Sequence, residues 1–292
     1  MTTIVVPLDG SAFAERAIRP ACSIAARIHD ARVLLVSCAP DDGDAMRHQL
    51  DDRASLYDEV VDIETRIVDQ SDPAAVLLAI AAAEPEGMLC MATRGKGGIR
   101  ATVLGSVSTQ VVCRTTQPLV LVGPGCRTTL LPAERGRLLV CSDGSALSDS
   151  IIPTAATWCD RLQLEPWLTG VVGPDENVEF SGEPHRNREI EAASERLDVL
   201  ATRLHAPNAP ARTRVLHGGP GGSIPWFAER LPAALIALAT HGRSGLTRIA
   251  MGSVATEVVR RAPCPVLTMR PTDGPGVQQR VTSQSNEGDH NG

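Results

Sequence analysis

The chain carries the same set of signatures twice, in the same order, and this duplication constrains its fold more than any other feature. Ile4-Val5-Val6-Pro7-Leu8-Asp9-Gly10-Ser11 recurs 134 residues later as Leu138-Leu139-Val140-Cys141-Ser142-Asp143-Gly144-Ser145. Ala92-Thr93-Arg94-Gly95 recurs as Ala239-Thr240-His241-Gly242, and Gly105-Ser106-Val107 as Gly252-Ser253-Val254, both 147 residues on. Gln117-Pro118-Leu119-Val120-Leu121-Val122 has its counterpart in Cys264-Pro265-Val266-Leu267-Thr268-Met269. A period this long is a duplicated domain rather than a solenoid repeat. The 292 residues thus divide into two units of ordinary domain size, 1–127 and 136–270, with a linker rich in Gly, Pro, Thr and Arg near 123–136. The tail 271–292 has few large apolar residues and is expected to be disordered.

Each copy alternates strand and helix. Apolar runs bounded by turns predict strands at 3–7, 32–38, 60–68, 87–92 and 118–122, and again near 137–141, 163–172, 212–216, 235–239 and 265–269. Ala14, Ala17, Ile18, Ala21, Ile24, Ala25 and Ile28 recur at helical spacing after Ser11, which is placed to cap the helix. A polar helix is expected over 44–59, and Ser71-Asp72-Pro73 opens another over 74–83. Near-continuous apolar strands alternating with helices describe a parallel sheet covered on both faces. Such a sheet binds ligands at the carboxyl ends of its strands, where the strand order switches.

Composition removes several function classes. The net charge is −6, so no basic field attracts nucleic acid or an anionic membrane. Aromatic residues are 2% of the chain, too few for a base-stacking platform. No apolar run approaches the roughly 18–20 residues of a membrane span, and the start Met1-Thr2-Thr3-Ile4 lacks the basic region of a signal peptide. The eight cysteines form no C-x-x-C pair and no zinc-spaced cluster, so they read as reduced core thiols. The expectation is a cytoplasmic, metal-free protein.

The turn after the fourth strand carries the chemistry. Each copy has a small residue, two residues, Gly, nine residues, then Gly-Ser: Ala92, Gly95, Gly105-Ser106 in the first, and Ala239, Gly242, Gly252-Ser253 in the second. Small residues at a strand end let a ligand approach the backbone closely. Gly-Ser ahead of Val107 or Val254 opens a helix whose exposed N–H groups favour a phosphate, with the Ser hydroxyl as a further donor. Lys96 and Arg100, or Arg243 and Arg248, add nearby cations. His241 has Arg94 as its counterpart, which argues against base catalysis common to both sites. His217-Gly218-Gly219-Pro220-Gly221-Gly222-Ser223 is read as a turn between strand and helix, since no G-x-S-x-G accompanies it. Neither a Walker A sequence nor G-x-G-x-x-G is present.

With these paired Asp-Gly-Ser openings, Thr-x-Gly turns, Gly-Ser-Val helix starts and Cys-Pro-Val-Leu closing, the sequence resembles the universal stress protein family over about 2–123 and 136–270. The family's nucleotide pattern is G-x-x-G, nine residues, G-[S/T]; here Ala92 and Ala239 stand at its first Gly. The resemblance implies two tandem doubly wound, Rossmann-like domains of the adenine nucleotide α-hydrolase type. Each would be a five-stranded parallel sheet of order 3-2-1-4-5, with the halves paired through their fifth strands as an internal pseudo-dimer. It implies ATP as ligand, with or without Mg²⁺. Adenosine would lie at Pro7, Asp9 and Cys38, and at Cys141, Asp143 and Val171. Phosphates would lie along Ala92, Thr93, Arg94, Gly95, Lys96, Gly97 and Gly98 with Gly105, Ser106 and Val107. Their second-copy counterparts are Ala239, Thr240, His241, Gly242, Arg243, Ser244 and Gly245 with Gly252, Ser253 and Val254.

The function so implied is a nucleotide-binding regulatory protein of the stress response, with little or no turnover and with protein partners the sequence does not name. The alternatives are a slow ATPase or nucleotidyltransferase-like enzyme of the same fold group, and an interaction scaffold with empty sites. Asp9 and Asp143 have a structural reading as well, as residues that shape the helix start.

Overall fold

A computed structural model describes residues 1–38, 43–84, 86–94, 104–127, 136–173, 183–204, 209–240 and 251–270, with backbone alone for 183–186. In the first half the strands are β1 Thr2–Pro7, β2 Ala31–Ser37, β3 Asp62–Ile67, β4 Met88–Ala92 and β5 Leu119–Val122. In the second they are β6 Arg137–Cys141, β7 Glu165–Val172, β8 Arg212–His217, β9 Ala233–Ala239 and β10 Val266–Met269. The helices are α1 Ile18–Ala25, α2 Gly43–Ala54, α3 Pro73–Ala83, α4 Ser106–Arg114, α5 Ala146–Asp149, α6 Ile151–Leu162, α7 Glu183–Ala201, α8 Pro220–Arg230 and α9 Ser253–Arg261.

All ten strands join in one sheet of order β3-β2-β1-β4-β5-β10-β9-β6-β7-β8. Each half is parallel with order 3-2-1-4-5, and the two fifth strands meet antiparallel, Val266 opposite Leu121 and Thr268 opposite Leu119. The pairing through the fifth strands expected from the sequence is the one observed. The Thr268 hydroxyl, fully buried, adds a bond to the Leu119 carbonyl at 3.1 Å across this seam. Arg161 of α6 pairs with Glu86, in the turn before β4, at 2.8 Å, and Arg27, just after α1, donates to the Leu162 carbonyl at 3.0 Å, so α6 is tied to the other half as well.

Strand side chains alternate between two apolar layers. Ile4, Val6, Val33 and Leu35 pack under the helices α1, α2, α6 and α7, while Val5, Leu34, Leu89 and Leu121 pack under α3, α4, α8 and α9. Helices therefore cover both faces, and the faces switch between β1 and β4, and again between β6 and β9.

Local structure departs from the sequence reading at three places. The helix expected from Ala14 to Ile28 is split into a 3-10 turn, Ala14–Ala17, and α1. Pro20 is the third residue of α1 and Pro153 the third of α6; a proline, lacking an N–H, fits a first turn but not a helix interior. The helix expected to reach residue 59 ends at Ala54 and continues as turns, Tyr57 N–H to the Ala54 carbonyl and Val61 N–H to Tyr57. Val60 is consequently exposed and β3 starts at Asp62. The supposed linker is, in its first part, a packed joint. Gly125 N–H donates to the Arg260 carbonyl at 3.1 Å and Arg127 N–H to Pro263 at 2.8 Å, which holds 123–127 against the end of α9. The tail 271–292 lies outside the described residues.

The cysteines are unpaired; six are buried, and Cys38 and Cys113 are half-buried. Burial pushes the Cys22, Cys141 and Cys159 thiols up to about 12 and Cys126 to about 11, so near neutral pH they stay protonated and poorly nucleophilic. A thiol reagent should accordingly label at most two of the eight in native protein and all eight in denaturant. Rapid labelling of six without denaturant would contradict this packing.

Candidate functional site

The Asp-Gly-Ser turns have matching construction. After β1, Asp9 Oδ1 accepts the Ser11 N–H at 3.0 Å and Ser11 Oγ accepts the Ala14 N–H at 3.1 Å. After β6, Asp143 Oδ1 accepts from Ser145 N–H at 2.9 Å and from its hydroxyl at 2.7 Å, while Ser145 Oγ accepts the Ser148 N–H at 3.1 Å. Gly10 and Gly144 occupy the left-handed region, with φ of 77° and 84°, which a glycine adopts without strain. One oxygen of each Asp thus shapes the turn, as the structural reading anticipates. Ser145 is the N-cap of α5; in the first half Ser11 makes the same type of bond although the 3-10 turn starts three residues on.

The Gly-Ser starts are equally well matched. Gly105 is the N-cap of α4 and Gly252 of α9, with φ of −74° and −60°. Their own N–H groups are taken: Gly105 donates to the Thr93 carbonyl at 2.7 Å and Gly252 to Thr240 at 2.8 Å. These bonds clamp each helix start to the end of β4 or β9. The first N–H groups of each helix, at Ser106 and Val107 and at Ser253 and Val254, precede its first intrahelical bond and point out of the N-terminus. Ser106 and Ser253 are exposed. Ala92 and Ala239 are absent from the positive-φ residues, so alanine is accommodated where the family pattern has its first Gly.

In the second half these pieces meet around a cavity of about 370 Å³ at the carboxyl ends of β6, β7 and β9. Of the residues singled out in the sequence it is bordered by Cys141, Asp143, Val171, Ala239, Thr240, Gly252, Ser253 and Val254. The size falls in the roughly 300–1,000 Å³ range of small-molecule sites. The sequence reading missed Ser142, Ser148, Thr169, Gly170 and Ile224, which also border it. Ser142 was legible as a difference between the repeats, since its first-half counterpart is Leu8.

In the first half, Pro7, Asp9, Cys38, Ala92, Thr93 and Arg94 cluster at the ends of the adjacent strands β1, β2 and β4, with Gly105, Ser106 and Val107 opening α4. Burial raises the Cys38 thiol above its ordinary range. Two hydroxyls at these strand ends, Ser37 Oγ and Thr93 Oγ1, are buried and have no hydrogen-bond partner among the described residues. Gly95, Lys96, Gly97, Gly98, Arg100, His241, Gly242, Arg243, Ser244, Gly245 and Arg248 lie outside the described residues. Among the described residues no group of His, Cys, Asp and Glu is arranged to hold a metal ion, and no helix is long and apolar enough to cross a membrane.

The sequence profile described as the Universal stress protein family matches residues 1–123 and 134–270. The chain belongs to the universal stress protein family. Among its relatives, a universal stress protein of Methanocaldococcus jannaschii is 47% identical over 58 residues, 20% of this chain and 34% of that one. Another from Mycobacterium bovis is 27% identical over 184 residues, 63% of this chain and 61% of that one. The chain thus spans less than two thirds of the length of these relatives. A solved universal stress protein from Archaeoglobus fulgidus superposes with a TM-score of 0.60 at 16% identity, covering 92% of this chain and 98% of that one. The likeness extends to the fold: an α/β, Rossmann-like architecture in tandem.

Proposed function

We propose that this member of the family is a cytoplasmic regulatory protein of the stress response that binds an adenine nucleotide, ATP, in each half, with little or no turnover. Its units are 1–127 and 136–270. The observation that carries the reading is the second-half cavity, which joins the Asp143 turn to the N-terminus of α9. That helix end presents unpaired N–H groups and the positive end of the helix dipole, the environment a phosphate favours. The walls supplied by Val171, Ile224 and Leu238 are apolar and suit a purine face. In the first half, Ser37 Oγ and Thr93 Oγ1 support the same reading, because a buried hydroxyl without a partner costs about 1–3 kcal/mol and a polar ligand removes that cost. Mg²⁺ would enter with the phosphates, not through a protein cage.

The test is the nucleotide content of freshly purified protein, followed by titration with ATP and measurement of phosphate release over hours. The reading expects bound adenine nucleotide, saturable ATP binding and slow or no release. Protein that is free of nucleotide and silent to ATP at millimolar concentration sinks it. Within the same titration, Ser253→Ala should weaken second-half binding about ten-fold to a hundred-fold, the worth of one hydrogen bond to a charged group. Ser253 is exposed, so the melting temperature should stay put. Unchanged affinity would remove this hydroxyl from the phosphate site.

A further inference from the structure

A half-buried arginine distinguishes the second half's cavity from the equivalent place in the first. Arg196 of α7 lies across the Asp143-Gly144-Ser145 turn, and its Nη1 donates to Ser142 Oγ at 3.1 Å. A Cβ placed on Gly144 would meet Nη1 at 2.5 Å, and one on Gly170 would meet Nη2 at 3.3 Å. Ser142 and Gly170 both border the cavity, so the guanidinium packs against two of its lining residues from the α7 side. Ser142 is itself fixed: its hydroxyl donates to Asp149 Oδ1 at 2.5 Å and accepts the Gly144 N–H at 3.1 Å. Among the described residues Arg196 has no ion-pair partner, its one hydrogen bond being to that hydroxyl. A guanidinium has five donors, and the bond to Ser142 uses one of them.

The first half has none of these three parts. Strand register equates Leu8 with Ser142 and Ser37 with Gly170: Leu8 N–H bonds the Val36 carbonyl as Ser142 N–H bonds Thr169. Asp51 and Asp198 accept from Thr65 and Thr213 in the same manner, at 2.8 and 2.7 Å, which equates Gln49 with Arg196. Gln49 donates instead to Glu15 at 2.9 Å, and Glu15 pairs with Arg53 at 3.0 Å. The anchoring hydroxyl, the missing side chain that admits the guanidinium and the guanidinium itself come from three separate elements. All three occur together in one half and are all replaced in the other.

We propose that the second half selects a purine nucleotide phosphorylated at both ends, with one phosphate on the 5′ position and another on a ribose hydroxyl, and that Arg196 reads the second. This rests on the nucleotide reading above. The α9 N-terminus follows β9 and Arg196 stands beside β7, with β6 between them. At about 4.8 Å per strand the two anion-binding groups are about 10 Å apart, on either side of the Asp143 turn.

The experiment is calorimetric titration of the full chain, at fixed ionic strength, with AMP, ATP, adenosine 2′,5′-bisphosphate and adenosine 3′,5′-bisphosphate. One of the two bisphosphates should bind about ten-fold or more tightly than AMP, at one site per chain, and which isomer does so identifies the ribose position. Arg196→Gln, which installs the first-half residue, should bring that ratio to about one, and Arg196→Lys should keep part of it. Circular dichroism guards against misfolded variants. If wild-type protein binds AMP and both bisphosphates equally, or if the preference survives Arg196→Gln, the proposal is overturned while the nucleotide reading stands. If neither AMP, ATP nor a bisphosphate binds, both fall together.

Discussion

Gly252→Val is expected to abolish nucleotide binding in the second half and leave the fold intact. Gly252 has φ −60° and ψ 158°, a backbone conformation that β-branched residues adopt readily. A Cβ there meets the Thr240 carbonyl oxygen at 3.4 Å, an ordinary contact. The Gly252 N–H bond to that carbonyl, 2.8 Å, needs no side chain and persists. The variant's cost to stability should stay within about 1 kcal/mol, because the added methyl groups meet cavity space rather than packed core. That space is where a phosphate would approach the helix start, and filling it should lower affinity by more than about a hundred-fold, as it also hinders access to the N–H groups worth ~1.5–3 kcal/mol each. Gly105→Val should do the same in the first half alone, since among the described residues its Cβ comes no closer than 3.7 Å to a neighbour, the Thr93 carbonyl oxygen. The check is ATP calorimetry beside thermal melts. A folded Gly252→Val protein with wild-type affinity at the second site would reduce the Gly-Ser start to a packing turn.

Gly123→Ala should have the opposite profile, with stability lost first. Gly123 follows β5, and a Cβ there would lie 1.8 Å from the Val259 carbonyl oxygen and 2.9 Å from its carbon. Both are backbone atoms of α9, so no rotamer change relieves the clash; either the helix or the strand end must shift. Overpacking against fixed backbone costs about 3 kcal/mol at the upper end of its usual range, on the order of 10 °C in melting temperature. Gly43→Ala is the control, as among the described residues nothing lies within 4 Å of its Cβ. Denaturant melts of the two variants should separate clearly. Coincident midpoints would mean that the joint yields without cost.

How far the sequence disclosed the molecule depends on the range of the interactions involved. The strands themselves were legible because apolar runs are local patterns that recur in both halves; their order came with the family resemblance, and the pairing of the fifth strands follows from the liability of an apolar edge. The break at Ala17 was not, since apolar spacing continues unbroken from the 3-10 turn into α1. Gly123 looked like a linker glycine, because close approach to a helix 136 residues away leaves no local mark. Gly252 and Ser253 were singled out by their spacing, and Cys141 and Asp143 by the family resemblance; all four border the cavity. Arg196 was singled out by neither: its contact with two lining residues depends on Ser142, just after β6, which holds it, and on Gly170 of β7, which makes room for it.

The seam between β5 and β10 has a consequence for behaviour in dilute solution. In a single-unit protein, an apolar fifth strand can be covered only by a second molecule, and the fraction covered then obeys mass action. Here the two strands belong to one polypeptide, joined by the connection that follows Val122. The local concentration of one for the other is set by chain length and not by the number of molecules present. The ten-stranded ladder should therefore be as complete at nanomolar as at millimolar protein, and a melting temperature set by this pairing should be insensitive to dilution.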